Sequence, residues 1–119
     1  MSESVEPWAW PDSLDALIAA PEHHRLVFEN DQVRILDTCI EPGETAPLHT
    51  HRWPSVLYAV ASDHVVRRDA DSKVLLDSRV TGALLEPGSA VWVGQLSPHT
   101  VENVGASAIR LLNVELKRA

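Results

Sequence analysis

His49 and His51 stand two positions apart in Pro47-Leu48-His49-Thr50-His51, a segment that reads as extended chain. Side chains on a strand alternate between faces, so a spacing of two puts both imidazoles on one side, converging on a single point. Neutral imidazole binds zinc, iron, nickel and copper, and two or three such rings inside a barrel leave coordination positions free for water or substrate. His99, which follows Pro98 and precedes Asn103, lies on a separate expected strand and supplies a third ligand if the two strand units face each other. Taken without context, an H-x-H pair is as readily two surface histidines.

The elements that must position these residues read as all-β. After Pro21 the chain consists of short Val-, Ile- and Leu-rich runs separated by Pro, Gly, Asn and Asp. Strands are expected at 25–29, 33–41, 46–51, 55–61, 64–69, 73–80, 83–86, 90–95, 99–104 and 108–117. Glu41-Pro42-Gly43 and Glu86-Pro87-Gly88 are matching turns, because Pro suits the first central position of a type II turn and Gly the positive φ of the second. They start two similar strand–turn–strand units, as a barrel or sandwich with twofold internal logic would. Upstream, Trp8 and Trp10 between Pro7 and Pro11 form an arm expected to dock against the rest. Asp12 or Ser13 should cap a short helix through Leu14, Leu17 and Ile18, ended by Pro21. It is the only helix expected. The division is thus 1–24 for arm and helix and 25–119 for the barrel.

The run Gly43, five residues, His49, one residue, His51 resembles the first cupin motif, and Gly88, His99 and Asn103 resemble part of the second. The resemblance spans 43–103. It implies a double-stranded β-helix, a jelly-roll-like barrel, with one divalent metal ion (iron, zinc or nickel) held by His49, His51 and His99. The usual glutamate falls on Ser55, and the second motif's proline and glycine fall on Gly94 and Leu96. Three neutral histidines would leave the ion its full charge for an anionic substrate or bound hydroxide. Ser55 is a candidate for holding a metal-bound water, although a serine at a strand position is more often a small packed residue. Some cupins that oxidise thiols or cleave diketones with oxygen resemble this arrangement, as do members with no known reaction.

Other residues carry weaker signals. Arg34, Arg52, Arg67 and Arg68 are candidate anchors for a substrate carboxylate, which guanidinium binds in bidentate fashion, although most arginines are ordinary surface charges. Trp53 and Trp92 could wall a pocket or simply pack in the core. Gln95 reads as a solvated turn residue and Cys39 as a small structural hydrophobe. His23, His24 and His64 lack partners at ligand spacing, and adjacent histidines on a strand point to opposite faces, so all three are expected at the surface. Phosphate-cradling glycine loops, a serine nucleophile elbow and paired zinc-type cysteines are absent from the sequence.

The 119 residues suit one domain, and 45% hydrophobic with 23% charged residues is ordinary for a globular chain. A net charge of −7 argues against nucleic-acid binding. One cysteine cannot form an internal disulfide, no apolar run is long enough to span a bilayer, and the start does not read as a signal peptide, so the expected setting is the cytoplasm, away from membranes. Val56-Leu57-Tyr58-Ala59-Val60-Ala61 is apolar on both faces, and a homodimer interface is one way to cover the outer one. The functions in view are a dioxygenase-like metalloenzyme acting on a small anionic metabolite, a non-catalytic metal-dependent binding or regulatory module, and a metal-free barrel with relic histidines.

Overall fold

The computed structural model describes residues 8–117. Nine strands form two antiparallel sheets. The first carries β1 (His24–Glu29), β2 (Val33–Ile40), β9 (Ile109–Leu116), β4 (Ser55–Ala61) and β7 (Ala90–Val93) side by side in that order. The second carries β3 (Thr45–His51), β8 (Leu96–Asn103), β5 (Val65–Asp69) and β6 (Val74–Asp77). This is the all-β, jelly-roll-like architecture expected. Among the described residues no helix is long and apolar enough to cross a membrane.

Strand alternation fixes what meets the interior. Leu36 of β2 stands opposite Asn113 of β9, which in turn stands opposite Leu57 of β4, and Thr38, Leu111 and Ala59 form the next inward-facing row. Ile40 and Ile109 close that end, packed with Ala46 into a small core. The complementary positions face out: Ile35, Val114, Val56 and Trp92 are cross-strand neighbours, as are Leu112, Tyr58 and Ala90. The apolar segment of β4 therefore serves two surfaces, with Leu57 inside and Tyr58 and Val60 exposed.

Both glycine turns form as their chemistry dictates. Gly43 and Gly88 have φ of +83° and +87°, and the amides of Glu44 and Ser89 donate to the carbonyls of Glu41 and Glu86 at 3.0 Å. Asn103 braces the first of them, because its side-chain amide donates to the carbonyls of Ile40 and Ser107 while its backbone pairs with Gly43 and Glu44.

Four expectations need correction. Asp12–Leu14 is a 3-10 turn, and the helix proper, α1 (Ala16–Ala19), is capped by the Asp15 carboxylate, which accepts from the Leu17 amide. A second helix, α2 (Ser78–Thr81), replaces the end of the strand expected at 73–80, capped by Asp77 and closed by Gly82 in the left-handed region. The strand expected at 83–86 does not form, since Leu84 and Leu85 instead cover a cavity. Finally, β8 begins at Leu96 rather than beyond Pro98. Of the N-terminal arm, residues 1–7 lie outside the described residues; Trp8 lines a groove with Pro11, Asp12, Arg52 and Trp53.

Candidate metal centre

His49 and His99 are direct cross-strand partners on β3 and β8, and the register shifts on both sides of this pair. On β8 an extra residue separates the partner of His51, Leu96, from His99, so Ser97-Pro98 forms a bulge at a position where proline costs no ladder bond. The two histidines then repeat one local device. The ring Nδ1 of His49 lies 2.6 Å from the carbonyl of Pro47, and that of His99 lies 2.7 Å from the carbonyl of Ser97. His51 Nδ1 is 2.8 Å from the Glu115 carboxylate on β9. A fourth ring joins them: His24, at the start of β1, has its Nδ1 3.0 Å from the Ala20 carbonyl behind α1.

Carbonyl and carboxylate oxygens only accept, so each Nδ1 carries the hydrogen and donates. A neutral imidazole in that tautomer keeps a free lone pair on Nε2, the arrangement found in metal-binding histidines with a supporting outer shell. The rings crowd together, with centroids 4.7 Å apart for His24 and His49, 5.1 Å for His49 and His51, and 4.4 Å for His49 and His99. Ligating nitrogens of His24, His49 and His51 lie within 4.8 Å of one another. Metal–nitrogen bonds of about 2.0–2.1 Å put donors around one ion up to about 4 Å apart, so this trio is close to the required spacing. The donor set, all neutral nitrogen, suits zinc, iron or nickel.

Burial keeps His24, His49 and His99 neutral. Desolvation pushes His24 and His49 down to about 3 and His99 down to about 4, and the neighbouring imidazoles add to the effect. The outer shell is charged and closed. Glu115, fully buried, also accepts from Arg34 Nε at 2.6 Å, and Arg34 forks onto both oxygens of Asp15 at 2.9 and 3.0 Å. Burial pulls the Arg34 guanidinium down, but Asp15 and Glu115 outweigh it and hold the group above its ordinary value. Asp15 caps α1, so one chain of contacts links the N-terminal helix to the His51 ring.

The histidines line one end of an interior cavity of about 290 Å³ between the sheets. Its walls are mainly aliphatic, including Leu57, Leu76, Val91, Val93, Val101 and Leu111. Polar groups besides the histidines are few: the Thr38 hydroxyl donates to Asn113 Oδ1 at 2.7 Å, Ser62 and Asp63 stand on the lining, and Arg67 reaches the cavity from β5.

The residues singled out in the sequence are distributed as follows. His49, His51 and His99 come together, and His24 joins them, its ligating nitrogen and those of His49 and His51 lying within 4.8 Å of one another. His24 is thus no surface residue, and neither His23, hydrogen-bonded to the Cys39 carbonyl, nor His64, against Ser78 Oγ, is fully exposed. Ser55 is buried beside Glu115 and Val93 and is not among the residues lining the cavity. Trp92 is 62% exposed, and Trp53 lies outside the cavity among three cations, with Arg34 5.0 Å, Lys117 5.4 Å and Arg52 5.5 Å from its ring. Gln95 is partly buried and donates to the Arg52 carbonyl. Cys39 is partly buried, and burial together with Glu41 pushes its thiol up.

Comparison with solved structures shows the same architecture elsewhere. A cupin domain from Bordetella pertussis Tohama I superposes with a TM-score of 0.66 at 15% identity, over 79% of this chain and 91% of that one. An RmlC-like cupin family protein with a double-stranded β-helix fold, from Methanocaldococcus jannaschii, gives 0.56 at 14% identity, over 78% and 77%. The polyketide cyclase RemF from Streptomyces resistomycificus gives 0.53 at 18% identity, and this chain spans 64% of its length. No protein-family profile and no curated protein matches the sequence.

Proposed function

From the premise that this chain has the cupin double-stranded β-helix fold, we propose that it is a mononuclear metalloprotein that binds a small anionic metabolite and acts on it as a dioxygenase-like enzyme. One observation carries the reading: four buried imidazoles, each with Nδ1 committed to an oxygen acceptor, leave their Nε2 lone pairs at the head of an apolar cavity. His24, His49 and His51 would hold the ion, with His99 beside them. A bound divalent ion supplies Lewis-acid chemistry there, and redox chemistry if it is iron. The chain's own part is to orient the rings through Pro47, Ser97, Ala20 and Glu115, to keep His24, His49 and His99 neutral by burial, and to exclude water with aliphatic walls. Ser55, buried opposite Glu115 rather than on the cavity lining, would act on a metal-bound water only through that end of the site.

The fourth histidine also favours a second reading. Four nitrogen donors can close a tetrahedral ion, and closure marks structural sites rather than catalytic ones. On that reading the protein is a metal-dependent binding or regulatory module.

Elemental mass spectrometry on tag-free protein tests the site. About one metal per chain is expected, lost in His49→Ala/His51→Ala and strongly reduced in His24→Ala. Absence of metal from the wild type would refute the centre. If the metal is iron, nitric oxide binding and O₂ consumption with thiols, diketones and small acids separate the readings, since an open site binds nitric oxide and a closed one does not.

A homodimer in the cytoplasm completes the proposal. The outer face of the five-stranded sheet leaves Tyr58, Val60 and Trp92 exposed next to Val56 and Val114, a surface a second copy would cover. Tyr58→Lys/Trp92→Glu should convert a dimer to a monomer in light scattering, and a wild type already monomeric at tens of micromolar would rule the pairing out.

A further inference from the structure

Arg67 differs from every other arginine among the described residues in facing no carboxylate. Arg25 and Arg110 share Asp37, Arg34 lies between Asp15 and Glu115, Arg52 faces Asp12, Arg68 pairs with Glu102 and Arg79 with Asp77. The contrast with its neighbour comes from strand alternation. Arg68 turns outward to Glu102, whereas Arg67, opposite Leu76 and Val101, turns inward and lines the cavity. Its Nε is buried without a hydrogen-bond partner. Burial pulls the group below its ordinary value, yet a guanidinium stays protonated in proteins.

Arg67 as a whole is half-buried, but its Nε–H is shut off from water with no acceptor, which is costly, and an anion entering the cavity would supply one. Asp69 stands opposite His99 on the same pair of strands, so Arg67 lies diagonal to His99, about 7–8 Å away between backbones. One small molecule can span that interval. Between Arg67 and the histidines the cavity walls are mainly hydrocarbon; the other polar lining groups are already engaged, Thr38 with Asn113, Ser62 with the Leu85 carbonyl, and the Asp63 carboxylate with the amides of Ala106 and Ser107 and the Ser107 hydroxyl.

We propose that Arg67 is the anchor for the carboxylate of a small, otherwise apolar monoacid, held in bidentate fashion, with the acid's body against Leu57, Val91, Val93 and Leu111 and its far end toward the histidines. This rests on reading the cavity as the ligand site of the metal centre. A planar fork suits a carboxylate, and a cavity of about 290 Å³ admits one compact acid.

The test uses benzoate and 4-methylpentanoate, each beside its neutral amide, titrated by calorimetry into full-length protein with and without added metal. Wild type should bind the acids at least tenfold more tightly than the amides in both metal states. Arg67→Met should abolish that preference and Arg67→Lys should restore part of it. A preference seen only with metal present would assign the carboxylate to the ion and overturn the role of Arg67. Equal binding of acid and amide by wild type would overturn it as well. Purified protein without metal would sink the metal centre while leaving the Arg67 comparison intact. Thermal unfolding separates an anchor from a structural residue: ligand-free Arg67→Met should melt no lower than wild type, and a clear fall would show that Arg67 has a partner within the fold and overturn the proposal.

Discussion

Removing metal should expose a steep acid dependence of stability set by the histidine cluster. In the folded protein His24, His49 and His99 titrate at about 3, 3 and 4, against 6.5 in the unfolded chain. Between pH 7.5 and 5.5 the folded rings stay neutral, while the unfolded ones gain protons as the pH falls through 6.5. A depressed histidine therefore contributes stability that is fully present above 6.5 and is lost on acidification toward the folded value. For one ring the loss across this window is RT ln(11/1.1), about 1.4 kcal/mol, and for three about 4 kcal/mol. Carboxylates add nothing here, because Asp15 and Asp37 are held below their ordinary range by arginine partners that outweigh burial, and their contribution begins to fade only near pH 4. With a urea m-value of about 1.5 kcal/mol/M, the midpoint of chelator-treated protein should fall by about 2.5–3 M between the two pH values. His24→Asn should remove about a third of the drop. A midpoint that shifts by less than about 0.5 M, or rises on acidification, would refute the argument that these rings are buried neutral.

Two other perturbations test the supports of the site. Arg34→Met leaves Asp15 and Glu115 buried without their shared cation, which should cost about 3–5 kcal/mol in urea unfolding and, by freeing His51, weaken metal binding about 10–100-fold in chelator competition; unchanged stability would show the triad to be dispensable. Gly105→Ala should destabilise by about 1–3 kcal/mol, because its Cβ would fall 2.0 Å from Asp63 Cγ while that carboxylate is engaged by the amides of Ala106 and Ser107 and the Ser107 hydroxyl. In a double-mutant cycle with Asp63→Ala the two costs should be less than additive, and full additivity would place the strain elsewhere.

The parts of this structure that local chemistry determines are legible in the sequence. Proline followed by glycine specifies both turns, and a spacing of two brings His49 and His51 to one face. What escaped depends on pairing between distant segments. Glu115 meets His51 from 64 residues away and Arg34 from 81, and nothing near Glu115 in sequence announces it. His24 did carry a signal: if adjacent histidines on a strand point to opposite faces, a strand packed on a core must turn one of them inward. The alternation that suggested two surface residues in fact required a buried one. At 83–86 apolar residues gathered to cover a cavity imitate the composition of a strand, while Asp77 and Gly82, cap and stop of α2, were the available clue to a helix.

The support of His51 by Glu115 also bears on when the protein could acquire the proposed ion. His24, His49 and His51 leave the ribosome well before the strand that carries Glu115 exists. At roughly 5–20 residues per second the interval from His24 to Glu115 is about 5–20 s. Once His51 has been made, 64 residues before Glu115, the growing chain displays a histidine pair with neither its brace nor its walls, able to pick up any soft cation in its surroundings and equally able to release it. Discrimination among metals would begin only when the last strand closes the sheet, so the identity of an ion held there would reflect supply at the moment of completion more than encounter during synthesis.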